Sequence, residues 1–124
     1  MTNAKNQRVY DLSDRLLNFA ATVIRFISKI ESSNTGRYLA NQLMRSAASS
    51  GVNYEEACGA ESKADFIHKM QIVLKEIRES LFWLKLIKTT DSFDCHEINN
   101  LLNEADELSK VIAKSILTAK RPVK

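Results

Sequence analysis

Apolar residues recur at three- and four-residue steps along four segments of the chain, the spacing that lines up side chains on one face of an α-helix. In the first segment Leu12, Leu16, Phe19, Ala20, Val23, Phe26, Ile27 and Ile30 form one stripe. Asp11 stands where an N-cap would, with Asp14 three positions on at the positive end of the helix dipole. Residues 32–36, SSNTG, are a cluster of turn-formers. A second helix is predicted over about 37–57, with Gly59 placed to stop it in a left-handed conformation. Its inward positions are Leu39, Leu43, Ala47, Ser50, Gly51, Tyr54 and Ala57. Most of the later ones are small, which lets a neighbouring helix approach closely. Ser62 with Asp65 resembles a capping box, with Asp in place of the usual Glu, and opens a third helix that runs to about residue 88. Its stripe is Phe66, Met70, Val73, Leu74, Ile77, Leu81 and Leu84. A turn follows at 89–93, and Asp94 with Glu97 repeats the capping pattern. The fourth helix carries Ile98, Leu101, Leu102, Ala105, Leu108, Ile112, Ile116 and Ala119.

Four amphipathic helices joined by short turns define an all-α fold, an antiparallel up-down-up-down four-helix bundle, as one domain over residues 1–124. Residues 1–10 read as a short N-terminal arm. Residues 120–124 read as a basic tail, where Pro122 stops the helix. The third helix carries a second apolar set, Ile72, Trp83, Leu86 and Ile87, rotated away from its stripe at a hundred degrees per residue. Leu17 and Ile24 form a smaller off-stripe pair on the first helix. A patch centred on a tryptophan favours an intermolecular contact, so self-association is expected. The alternative is a Trp83 tucked under a neighbouring helix.

Composition narrows the possible functions. Net charge is +3. Residues 1–31 hold five basic and three acidic groups, residues 60–90 six and four, and the stretch from Asp94 five of each. The excess is spread out, and avid binding of a phosphate backbone by one subunit needs clustered cations. Cys58 and Cys95 lie far apart, the N-terminus has no secretory pattern, and no apolar run approaches a membrane span. The expected setting is the cytoplasm, with reduced thiols and no membrane partner.

Catalytic and cofactor patterns are weak. Bundle di-metal sites use Glu-x-x-His pairs, and Glu55, Glu56 and Glu79 have no histidine three places on, while His68 and His96 are isolated. Cys58 ends a helix, where the dipole disfavours a thiolate. Ser46, Ser49 and Ser50 have no local histidine and suit packing, with hydroxyls bonded back to the helix. There is no phosphate loop or dinucleotide fingerprint. No cofactor, no metal and no enzymatic activity are expected.

Three stretches, VYDLSDRLLNFA (9–20), QLMRSAASSGVNYEEA (42–57) and DFIHKMQIVLKEIRESLFWLKLI (65–87), resemble the four-helix-bundle proteins called 23S ribosomal RNA intervening-sequence proteins. The second and third stretches are the specific ones. Gly51 departs from the pattern, which has a bulkier aliphatic residue there, and a looser second helix is expected. The resemblance implies a ring-like homopentamer and a gene sometimes found inside an insertion in ribosomal RNA genes. A related group, the accessory proteins of diversity-generating retroelements, binds a reverse transcriptase and nucleic acid through a basic surface. Such an accessory role, or a protein partner, is an alternative here, with a small bundle enzyme behind it.

The motif polar residues are Arg45, Ser46, Asn53 and Glu56 on the second helix and Lys75, Glu76, Arg78 and Glu79 on the third. With Trp83 they are candidates for a structural or interface network, and a ligand or nucleic-acid site is the competing reading. Glu76 and Glu79 can offer carboxylates to Arg45. If that cation is buried, losing Glu79 would be strongly destabilising. Lys63, Lys69, Lys85, Lys88, Lys120, Arg121 and Lys124 are the candidate phosphate contacts for RNA or DNA, provided an assembly brings them together.

Overall fold

A computed structural model describes residues 4–90 and 96–122, with side chains from Leu12 onward. It contains four helices, α1 (Ala4–Ile27), α2 (Asn34–Cys58), α3 (Lys63–Thr90) and α4 (His96–Lys120). Each packs on its neighbours in chain order, and α1 also lies against α4, which closes a four-cornered bundle. The α2–α3 seam is the most extensive and the α1–α4 seam the slightest. Partner residues run in opposite directions along three of the seams: Arg45 meets Glu79 while Glu56 meets Lys69, Lys63 meets Arg121 while Lys88 meets Asn99, and Arg15 meets Glu104 while Lys29 meets Glu97. The arrangement is therefore the antiparallel up-down-up-down bundle that the stripes imply.

The stripes make the core. Leu16, Phe26, Leu43, Met70, Ile77, Leu84, Ile98, Leu108 and Ile112 are fully buried. Ile30 lies just past α1 and is buried too, so the first turn is anchored to the core. Phe66, Leu74, Leu81 and Leu102 are half-buried at its margin.

Helix ends follow local chemistry. Ser33, extended at φ −132°, caps α2, and its Oγ accepts from the Gly36 N–H at 2.9 Å. Ser62 caps α3, accepting from the Asp65 N–H at 3.0 Å. Gly59 follows α2 as expected but is not left-handed: at φ −95° its N–H bonds the Glu55 and Glu56 carbonyls at 3.3 and 3.2 Å. There is no ten-residue arm before the first helix, because α1 is already formed at Ala4 and Asp11 lies inside it. Residues 4–10, AKNQRVY, hold no glycine or proline to stop a helix extending back from its core-anchored turns. Asp94, the proposed cap of α4, and Cys95, Phe93 and Lys124 lie outside the described residues.

Gly51 shows how α2 tolerates its departure from the family pattern. A methyl added there would come no nearer than 3.9 Å to Leu16 Cβ, an ordinary contact. Gly51→Ala is therefore expected to stabilise the protein by about 1 kcal/mol through helix propensity. Denaturant unfolding with an unchanged slope checks it, and a loss of stability would show that α1 and α2 need the gap.

Candidate functional site

Small residues let α2 and α3 meet along a polar rail. Ser46 and Ser80 are both fully buried, with their hydroxyls 2.8 Å apart. Each also bonds its own helix, Ser46 Oγ to the Leu43 carbonyl at 3.1 Å and Ser80 Oγ to the Glu76 carbonyl at 3.0 Å. Outside this pair, Arg45 donates to Glu79 at 2.9 Å and lies 3.4 Å from Glu76. Farther along, Lys69 pairs with Glu56 at 2.8 Å. Asn53 turns back on its own helix, donating to the Ser49 carbonyl at 2.9 Å. Six motif residues thus fix the α2–α3 register or hold their own helix, while Lys75 and Arg78 take no part.

Arg45 is half-exposed, so the condition for a costly loss of Glu79 is not met: the pair is solvent-screened and Glu79→Ala is expected to have a small effect on stability. Glu76 differs, since its side chain is only 8% exposed. Burial pushes its carboxyl above the ordinary value of 4.5, and neighbouring Glu79 adds to that, while the Ser49 hydroxyl and Arg45 pull the other way. A folded value above the unfolded one means that the native state holds this proton more tightly. Its stabilising contribution is complete below pH 4.5 and is lost as pH rises through the folded value. Glu76→Gln, which keeps the shape and removes the charge, should abolish that fall while leaving neutral-pH stability equal or higher. Unfolding curves from pH 4 to 8 for both proteins check it; a loss at neutral pH would mean that the ion pair outweighs the burial.

Tyr54, buried beneath the end of α2, has its phenol pushed well up, first by burial and then by neighbouring Cys58 and Glu55. Arg15 joins α1 to α4 through two bonds to Glu104 at 2.9 and 3.1 Å and one to Glu107 at 3.0 Å. Its guanidinium is held charged, chiefly by the hydrogen bonds to Glu104. Among the described residues no three His, Cys, Asp or Glu side chains converge as metal ligands. Also among them, no helix is long and apolar enough to cross a membrane.

A different surface lies over α3 and α4, where an open groove of about 800 Å³ separates the two helices. Leu74, Phe82, Trp83, Ile116 and Leu117 supply its apolar lining, and Lys75, Arg78 and Lys120 its cations. None of these three cations has a carboxylate within ion-pair distance among the described residues, whereas Arg15, Lys29, Arg45, Lys69 and Lys110 all do.

Trp83 is half-buried against the core, edge-on to Tyr38 of α2 at 6.0 Å and to Phe82 at 5.3 Å. It is tucked against α2 on one side and lines the groove on the other. Its indole N–H is shielded without a partner. The outward aromatics are Phe82, 57% exposed, and Tyr38, 56% exposed, neither of which belongs to the off-stripe set expected from the sequence. Ile87 does not belong to the off-stripe set, because it sits three residues past Leu84 and is buried in the core. Ile72 and Leu86 are half-buried. Leu117 at 65% and Leu17 at 66% are the most exposed large apolar residues described. Of these only Leu17 stood out in the sequence; Leu117 follows the α4 stripe residue Ile116 and reads as its continuation.

The expected phosphate contacts are dispersed. Lys69 is committed to Glu56, and Lys88 donates to Asn99 at 2.7 Å. Lys63 donates to the Arg121 carbonyl at 3.0 Å, which brings Lys63, Lys120 and Arg121 to one end of the bundle. Lys85 is exposed on α3.

Comparison with known proteins sets this arrangement in context. The family model of the 23S rRNA-intervening sequence protein matches residues 5–114. A crystal structure from Bacteroides thetaiotaomicron, of a protein of unknown function from the S23 ribosomal protein family, is similar with a TM-score of 0.81 and 29% identity. The match covers 88% of this chain and 97% of that one. Comparison with curated proteins gives no match.

Proposed function

The chain belongs to the 23S rRNA-intervening sequence protein family, and we propose that it works as a non-enzymatic, self-assembling scaffold in the cytoplasm, with nucleic acid as its ligand. The observation that carries this reading is a pair of unlike apolar surfaces on different helix pairs. One is the α3–α4 groove, with Phe82 and Leu117 exposed. The other lies on α1 and α2, where Leu17, Ile24, Met44 and Val52 are exposed. A head-to-tail ring needs two such surfaces on every subunit, and exposed apolar patches are the kind of surface that interactions use. The homopentamer implied by the family resemblance is the proposed assembly. It multiplies a modest +3 per subunit fivefold and sums many weak phosphate contacts through avidity.

The test is the mass of the purified protein, measured beside RNA binding across a salt series. An oligomer whose affinity falls steeply with salt supports the reading, because several phosphates are then neutralised together. An intact oligomer that binds no RNA at low salt redirects the scaffold to a protein partner. A monomer removes the scaffold altogether.

A further inference from the structure

We propose that the α3–α4 groove binds an amphipathic anion, a single aliphatic chain ending in a carboxylate, laid lengthwise between the two helices.

The groove is polarised along its length. Lys63 meets the Arg121 carbonyl and Lys88 meets Asn99, so α3 and α4 run in opposite directions. Lys120 therefore lies toward the Gln71 and Lys75 end of the groove, and Ala113 toward the Phe82 and Trp83 end, with Arg78 between them. From Lys75 to Phe82 is about 10 Å along the helix axis. A groove of about 800 Å³ with apolar walls and a few polar groups has the make-up of a small-molecule site.

The cations are uncommitted. Lys75, Arg78 and Lys120 have neither an ion pair nor a hydrogen bond among the described residues. Arg25 and Arg37 also lack acidic partners, but they donate to Thr22 and Asn34 and do not line the groove. In the groove, free cations close one end of an apolar channel. An inorganic anion would leave the walls around Phe82 and Leu117 bare, and a neutral hydrocarbon would leave the cations without a partner. A nucleic-acid backbone needs cations along its whole track, and the α3 lining has none past Arg78. Arg78 and the two lysines suit a carboxylate head, while the one carboxylate in the wall, Glu79, is held by Arg45 at 2.9 Å. The scaffold reading gives the same groove to a neighbouring copy, so the ligand competes with assembly; that consequence rests on the scaffold reading, and binding itself does not.

Trp83 is the chain's single tryptophan and lines the groove, so its fluorescence reports occupancy. The protein is titrated with decanoate below its micelle concentration, beside decanol and decyltrimethylammonium. Decanoate is expected to give a saturable change at one ligand per chain, and each of the others to bind about tenfold more weakly. Lys75 and Arg78 are exposed, so replacing both with alanine keeps the fold, which circular dichroism checks. That variant should bind decanoate no better than decanol. No saturable change with decanoate, or equal affinities for all three probes, overturns the proposal. A single-stranded RNA that needs Lys75 and Arg78, where decanoate does not bind, assigns the cations to nucleic acid instead. Mass measured with decanoate at saturation tests the competition: a smaller assembly is expected, and an unchanged one removes the groove from the subunit contact. A ligand-free protein that is already monomeric overturns the scaffold reading and leaves decanoate binding standing.

Discussion

Gly36→Ala should lower stability by about 3 kcal/mol, the upper range for forcing a methyl into a packed site, and depress the unfolding midpoint by roughly 10 °C. Gly36 sits buried in the first turn of α2, where the chain leaves the turn after Ile30. A Cβ there would lie 1.8 Å from the Ile30 carbonyl oxygen and 3.1 Å from the Ser33 hydroxyl. The carbonyl is backbone and cannot swing aside. The turn must therefore move, which pulls Ile30 out of the core and disturbs the Ser33 cap. The requirement is closeness rather than backbone freedom, because no described glycine has a positive φ. Gly59→Ala is the matched control: its nearest foreign atom is 3.8 Å away, so it should be close to neutral. Equal midpoints for the two variants would mean that the α1–α2 turn yields at little cost.

Ser46→Leu is the second large effect, again about 3 kcal/mol of destabilisation. Ser46 has no exposed surface and touches Ser80 hydroxyl to hydroxyl across the tightest helix pair. A leucine has nowhere to go unless α2 and α3 move apart along their length. Ser46→Ala separates size from hydrogen bonding. It leaves the Ser80 hydroxyl bonded to the Glu76 carbonyl, so its cost should stay near 1 kcal/mol. Chemical denaturation of both variants decides the matter. A comparable loss in each would assign the seam's strength to the hydroxyl pair rather than to the close approach.

These sites also show what was legible in the chain. The α1 and α4 stripes translate almost directly into buried residues, because outside the stripe each of those helices carries only two large apolar residues among those whose side chains are described, Leu17 and Ile24 on α1 and Val111 and Leu117 on α4. On α3 apolar residues occupy much of the circumference, so phase alone cannot separate core from surface. Ile87, off the stripe by phase, is buried, while Phe82, beside the stripe residue Leu81, is exposed. The pairing of Arg45 with two glutamates was readable as complementary charge at matching spacing. Its exposure was not, since burial depends on how the two helices are rotated. The groove was invisible for the same reason: Lys75 and Arg78 meet Leu117 and Lys120 only once α3 and α4 are set side by side. Gly36 read as one more turn residue, because the approach of the Ile30 carbonyl is a three-dimensional fact.

The slight α1–α4 seam has a consequence for the order of events in folding. α1 with α2, α2 with α3 and α3 with α4 are neighbours along the chain and close after short loops, which favours rapid collapse. The bond between Arg15 and Glu104 spans 89 positions and brings together helices made at opposite ends of synthesis. Because α4 is made last, its seams with α3 and α1 are the last that synthesis makes available. The groove lined by Leu117 and Lys120 is complete only once α4 lies against α3, so that surface is the last part of the bundle to take shape.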